Sequence, residues 1–115
     1  VTATAAQKSR QAIRRALRTN PEALVAVTGC YAQVAPQEVA AIPGVRVVLG
    51  TRGHGRIVDL VERVAAGGPA LVEVEDVERA ETFEELPVAT RRSRTRAFLK
   101  VQEGCREFCT YCIVP

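Results

Sequence analysis

Three cysteines stand close together near the end of the chain, and their spacing is the feature of the sequence most clearly suited to chemistry. Cys105, Cys109 and Cys112 follow the pattern Cys-x-x-x-Cys-x-x-Cys. Thiolates are soft ligands that bind iron–sulfur clusters or zinc. Three of them on one short loop can each bind one iron of a [4Fe-4S] cluster. The fourth iron then stays open to a small molecule that brings its own amino and carboxylate groups.

Two other kinds of metal site compete with this interpretation. A structural zinc site generally has four ligands, so it would need Cys30 or His54 as the fourth. An electron-transfer ferredoxin loop has two-residue gaps and a distant fourth cysteine before a proline, whereas the first gap here has three residues. The spacing favours the open-iron cluster, and a non-catalytic module stabilised by zinc or a cluster is the competing hypothesis.

Composition limits the class of protein. The chain has 115 residues, enough for one domain, and with 47% hydrophobic and 25% charged residues it has the composition of a soluble globular protein with a modest aliphatic core. The sequence shows neither a secretory signal nor an apolar run long enough to span a bilayer, which favours a cytoplasmic protein that does not contact a membrane. Three closely spaced cysteines in such a reducing compartment point to metal chemistry rather than to disulfides.

Hydrophobic periodicity predicts alternating helices and strands upstream of the cysteines. Helical spacing or a proline at the first turn predicts three helices, and short apolar runs ending near glycine predict buried strands. This alternation is typical of a small α/β unit with a parallel sheet. The predicted helices cover residues 4–18, 36–42 and 55–66, and the predicted strands cover residues 24–28, 45–49 and 71–74.

The remainder of the chain divides into a connection and a second unit. Residues 73–85 are rich in acidic side chains, and basic side chains follow from Arg91 onwards. Such a change of charge along the chain is typical of a solvated interdomain connection. We therefore expect a first unit over residues 1–75, a linker over 76–95 and a second unit over 96–115. In that second unit, residues 97–101 read as a strand that runs into the cysteine loop. The chain contains no methionine and begins in the middle of a pattern, so we expect it to be a piece of a longer protein.

Several stretches resemble one known family. Residues 96–115, RAFLKVQEGCREFCTYCIVP, resemble the first barrel strand and cluster loop of the radical S-adenosylmethionine methylthiotransferases. Residues 28–33, TGCYAQ, resemble a motif at the end of a strand in that family's N-terminal domain. Residues 1–4 and 8–11 resemble the segment that follows another cysteine in one branch of the family. That branch acts on threonylcarbamoyladenosine in tRNA.

The resemblance implies a fold and an activity. The fold would be part of a Rossmann-like N-terminal methylthiotransferase domain, followed by the first strand and cluster loop of a radical (β/α) barrel. The activity would be radical insertion of a methylthio group at carbon 2 of N6-threonylcarbamoyladenosine, next to the anticodon of tRNA. Sister branches act on isopentenyladenosine in tRNA or on an aspartate of a ribosomal protein. The partners would be tRNA and a one-electron donor such as flavodoxin or ferredoxin.

The resemblance also assigns roles to individual residues. Cys105, Cys109 and Cys112 would hold the radical [4Fe-4S] cluster, whose open iron would bind S-adenosyl-L-methionine. Tyr111 would lie against the adenine of that cofactor, although plain packing also suits a tyrosine. Cys30 would be one of three ligands of a second, auxiliary [4Fe-4S] cluster associated with sulfur transfer. The other two ligands are absent from the chain, so we expect this piece to be inactive alone.

The residues themselves leave other roles open. A lone cysteine such as Cys30 is commonly a small buried hydrophobe. His54, between two glycines, reads as a loop residue without a predictable partner. The first helix carries a basic face that would suit tRNA phosphates, but such faces are more often simply solvated. Its cations are Lys8, Arg10, Arg14, Arg15 and Arg18.

Overall fold

A parallel sheet of three strands forms the centre of the molecule. A computed structural model describes residues 1–80, 82, 84, 101–102, 104–105, 107–112 and 114. Strands β1 (Val25–Val27), β2 (Val45–Leu49) and β3 (Leu71–Glu73) lie in the order β1-β2-β3. Ala26 pairs with Val47, which in turn pairs with Leu71. The predicted α/β unit with a parallel sheet is therefore confirmed.

The helices alternate with the strands along the chain. Four α-helices and two short 3-10 helices occur among the described residues. The α-helices are α1 (Ala3–Thr19), α2 (Cys30–Val34), α3 (Pro36–Ala40) and α4 (Ile57–Ala65), and the 3-10 helices are His54–Arg56 and Val77–Arg79. No helix in the described part of the chain is long and apolar enough to cross a membrane.

Helix α1 begins and ends where its sequence predicts. The backbone N–H of Ala5 donates to the Thr2 side chain at 3.2 Å, which satisfies one of the free donors of the first turn. At the other end, the N–H of Asn20 still donates to the Ala16 carbonyl, and Pro21 follows. Ile13 is the buried residue of the helix, and the opposite face is charged and exposed.

Strand β2 lies between two hydrophobic clusters. Val45 and Val48 pack with residues of α1, α2 and α3 in the first cluster. Val47 and Leu49 pack with Leu60 and other residues of α4 in the second cluster. A central strand that is covered by helices on both faces is the usual situation in a parallel sheet, which explains its nearly continuous Val and Leu sequence.

Two parts of the sequence-based prediction differ from the structure or fall outside it. Helix α2 was not predicted, because its five residues are too few for a hydrophobic period to be visible. The predicted strand at residues 97–101 lies almost entirely outside the described residues. The boundaries at residues 75 and 95, and the assignment of residues 96–115 to a radical barrel, therefore stay predictions.

Candidate functional site

The carboxyl ends of the three strands meet at one edge of the sheet. Gly29, just after β1, donates its N–H to the Gly50 carbonyl at 3.2 Å. Gly50, just after β2, donates its own N–H to the carbonyl of Glu73 at the end of β3, also at 3.2 Å. Ligands of open parallel sheets bind outside this carboxyl edge. The loops that follow the three strands therefore form the candidate site.

Cys30 lies at this edge as the first residue of α2. Gly29 precedes it with a positive φ of 100°, a backbone conformation that favours glycine and allows the chain to turn directly from strand to helix. The thiol is free, and the residue is exposed. The alternative role of a small buried hydrophobe therefore does not fit, and the thiol is accessible for chemistry. Its assignment as a cluster ligand stays a prediction.

Gln33 connects the loops that follow β2 and β3 to helix α2. Its side-chain Oε1 accepts hydrogen bonds from the backbone N–H of Thr51 at 3.0 Å and from the Thr51 hydroxyl at 3.3 Å. Its Nε2 donates to the Glu75 carbonyl at 2.9 Å. A Cβ at Gly50 would overlap the Gln33 amide oxygen, so the close approach requires glycine there. One carboxamide thus holds the edge around Cys30 in register.

His54 joins two distant parts of the chain next to this edge. Its Nε2 lies 3.0 Å from the Thr28 hydroxyl, and that hydroxyl donates to the Gly50 carbonyl at 2.7 Å. Its Nδ1 lies 3.3 Å from Oε2 of Glu84. Through these two contacts the ring links the end of β1 to Glu84. The sequence could name no partner for His54 and predicted a loop residue; the structure places it at the start of a 3-10 helix with Thr28 and Glu84 as partners.

The Glu84 carboxylate is held in its charged form by these contacts. Its side chain is largely buried, and the desolvation acts to raise its pKa. The hydrogen bond from the Gly55 N–H, at 3.3 Å, and the neighbouring His54 ring outweigh that effect. The net result is a pKa below the ordinary value of 4.5. Sequence reasoning could not find this pair, since the two residues lie 30 positions apart.

Two arginines and two glutamates form a charge network on the same loops. Arg56 pairs with Glu73 and Glu75, each at 2.9 Å. Arg52 is more buried, and its Nε lies 3.6 Å from Glu75, beyond hydrogen-bond distance. Because the charges balance locally, the carboxyl edge itself presents no strong excess of either sign.

The cysteine segment near the C-terminus is exposed. Cys109 and Cys112 are exposed and Cys105 is half-buried, and all three are free thiols. A backbone hydrogen bond from Cys112 to Cys109 at 2.9 Å closes a tight turn, and Phe108 before it has a positive φ of 46°. Within the described residues, no group of three or more His, Cys, Asp or Glu is arranged to hold a metal ion. The assignment of these thiols as cluster ligands stays a prediction.

Tyr111 lies within that turn and is 93% exposed. Contacts within the described part of the chain therefore do not bury its ring, and packing there does not account for an aromatic residue at this position. Its predicted role beside an adenine stays a prediction.

Comparison with known proteins relates the chain to methylthiotransferases. Residues 1–50 match the family described as "Uncharacterized protein family UPF0004". Over all 115 residues, the chain is 46% identical to "Threonylcarbamoyladenosine tRNA methylthiotransferase MtaB" of Bacillus subtilis and covers 26% of that protein. A protein of the same name from Aquifex aeolicus is 39% identical over 95% of the chain, which covers 27% of that relative.

A second group of relatives carries a different name. The chain is 42% identical to "tRNA-2-methylthio-N(6)-dimethylallyladenosine synthase" of Novosphingobium aromaticivorans, over 90% of its own length and 22% of that protein. It thus spans about a quarter of the length of the curated relatives it matches. No solved structure is significantly similar to the chain.

We predict that Gln33→Ala destabilises the fold. The variant leaves the Thr51 N–H and the Glu75 carbonyl without their partner, and we expect a loss of about 1–2 kcal/mol in the free energy of unfolding, since both groups can regain some water. Urea denaturation measures this loss, and the dependence of the unfolding free energy on urea concentration should stay unchanged. Gln37→Ala, on the exposed surface of α3, is the matched control. Equal stability of the two variants would contradict the role given to the carboxamide.

We also predict that Glu84 contributes stability that is lost in acid. Because folding lowers its pKa, this stabilisation is complete above the ordinary value of 4.5 and disappears as the pH falls through the lower pKa of the folded state. Glu84→Gln should therefore melt below the parent chain near neutral pH, and the difference should shrink below about pH 4.5. Melting temperatures measured from pH 3 to 7 test this. Glu62→Gln, on the exposed face of α4, is the control for the loss of one carboxylate. A difference that is constant with pH would refute the stabilisation of the charged Glu84 carboxylate.

Proposed function

Because the chain belongs to the methylthiotransferase family, we propose that the protein containing it inserts a methylthio group into a modified adenosine of tRNA. The target atom in this proposal is carbon 2 of N6-threonylcarbamoyladenosine. The observation that carries the proposal is 46% identity, over the whole chain, to a relative named for that nucleoside. The relative named for dimethylallyladenosine is 42% identical over 90% of the chain, which makes that nucleoside the second candidate.

In this proposal, Cys105, Cys109 and Cys112 hold a [4Fe-4S] cluster. Their donor set fits the group, because three free soft thiols lie on one short segment and two of them are exposed on either side of a tight turn. With S-adenosylmethionine, such a cluster supplies a carbon radical that can remove hydrogen from an unactivated C–H bond. The contribution of Tyr111 is to offer an exposed aromatic face for the adenine of that cofactor.

Cys30 is proposed as a ligand of a second, auxiliary [4Fe-4S] cluster at the carboxyl edge of the sheet. The thiol is exposed there, and the side chains of Gln33 and His54 fix the loops around it. The chain contains four cysteines in all, so any further thiolates for this cluster come from the remainder of the longer protein. The chain's own residues would thus position one ligand and keep its approach open.

The proposed partners follow from this chemistry. Transfer RNA is the substrate, as in the names of the relatives, and a one-electron donor such as flavodoxin or ferredoxin reduces the radical cluster. In this proposal both partners bind the whole protein, and the described fold is one α/β unit of it.

The proposed division of labour between the cysteines can be tested in the whole protein. After anaerobic iron–sulfur reconstitution, Cys109→Ala should abolish cleavage of S-adenosylmethionine, because it removes a ligand of the cluster that reacts with it. Cys30→Ala should keep that cleavage and lose the methylthio product. Chromatography of the cleaved nucleoside and mass spectrometry of the tRNA measure the two activities separately.

Controls make this experiment decisive. Val34→Ala changes an exposed side chain at the other end of the same helix and should keep both activities. A colourless protein that holds one zinc ion would favour the non-catalytic module and overturn the proposal. Loss of both activities in Cys30→Ala would contradict the separate role of that cysteine.

A further inference from the structure

Helix α1 has a charge pattern that its own stability does not explain. Its 17 residues include five of the chain's 16 lysines and arginines and none of its 13 acidic residues. Exposed helix faces that serve only solubility and stability generally alternate the two signs, so that opposite charges three or four positions apart attract. Here the neighbours at that spacing are like charges, such as Arg14 and Arg18, which repel by about 0.2–0.5 kcal/mol per pair.

One of the five cations is used inside the fold. The guanidinium of Arg10 lies over the Tyr31 ring, 5.6 Å from its centroid, and its Nη1 donates to the Tyr31 hydroxyl at 2.9 Å. That hydroxyl donates in turn to Glu38 at 3.1 Å. Arg10 is therefore held by Tyr31 of α2, and the basic face that remains is smaller and better defined than the sequence indicates.

The other four cations point away from the protein. Lys8, Arg14, Arg15 and Arg18 are all exposed, and none of them takes part in an ion pair among the described residues. At 100° per residue they occupy an arc of about 120° that faces away from buried Ile13. From Lys8 to Arg18 this stripe of cations is about 15 Å long at 1.5 Å per residue.

We propose that this face of α1, formed by Lys8, Arg14, Arg15 and Arg18, binds the phosphate backbone of RNA. A row of exposed cations that form no ion pair with the described residues matches a row of phosphates, and release of counterions favours the contact without any base recognition. The inference rests on the proposed function, which makes tRNA the substrate, and adds a surface on which that tRNA lies.

One contact of α1 reaches the helix that begins at the candidate site. Arg10 joins α1 to Tyr31, the residue next to Cys30, and the two helices pack in one hydrophobic cluster. The four exposed cations lie on the other side of α1, and Leu17 near its end packs against Gly44 before β2, so RNA on this face is held away from Cys30 itself. Because the carboxyl edge has balanced charges, α1 supplies the long-range attraction that the edge lacks.

A pair of charge-matched variants of the whole protein tests the proposal. Lys8→Gln/Arg15→Gln/Arg18→Gln removes three cations from α1, and Arg46→Gln/Arg63→Gln/Arg79→Gln removes three exposed cations elsewhere. Affinity for unfractionated tRNA is measured at several salt concentrations, and circular dichroism checks that both variants stay folded. The α1 variant should bind about tenfold more weakly or worse, with a salt dependence reduced by about 2–3 in the log–log slope.

The outcomes separate this inference from the proposed function. An equal loss of affinity in both variants, or no loss in either, would overturn the α1 surface even in a protein that makes the methylthio nucleoside. The inference would also be overturned if the α1 substitutions weakened binding to phosphatidylserine vesicles but left binding to tRNA unchanged. A protein that binds tRNA through α1 and never forms the product would instead contradict the proposed function alone.

Discussion

The hydrogen bonds of the Gln33 carboxamide are the contacts on which the candidate site depends. Strands β1, β2 and β3 end side by side, and the N–H groups of Gly29 and Gly50 extend their backbone hydrogen bonding by one residue. Beyond these glycines, Thr51 and Glu75 bond to a side chain. Gln33 supplies both an acceptor for the Thr51 N–H and a donor for the Glu75 carbonyl. It can do so because Gly50 has no side chain in the way. The carboxyl edge is therefore held by side chains, and Cys30 projects from a fixed frame.

Polar contacts around that frame divide the molecule into two electrostatic regions. At the edge, Arg52 and Arg56 are balanced by Glu73 and Glu75, and His54 is paired with Glu84. On α1, by contrast, the exposed cations have no such partners within the described residues. The balanced edge surrounds Cys30, for which we propose the role of a cluster ligand, whereas an unbalanced helix suits a long polyanion. The Arg10–Tyr31 contact connects the two regions.

The sequence was most informative where a periodic pattern meets a hydrophobic core. Helix α1 and strand β2 were predicted almost to the residue, because helical spacing and a run of buried aliphatic residues are local signals. Helix α2 was missed because five residues carry no period. The Gln33 and His54 contacts were missed for another reason: their partners lie 18 to 42 positions away, and spacing along the chain says nothing about them. The cysteine triplet is the reverse case, since its spacing predicts ligands that the described structure does not test.

The most direct test of the account is the nucleoside composition of tRNA in cells that lack the gene. Mass spectrometry of digested tRNA should show that the methylthio derivative of N6-threonylcarbamoyladenosine disappears while the unmodified nucleoside accumulates, and the intact gene should restore it. Persistence of that derivative at its normal level would contradict the proposed substrate. Disappearance of the methylthio derivative of dimethylallyladenosine instead would keep the chemistry and move the protein to the other branch.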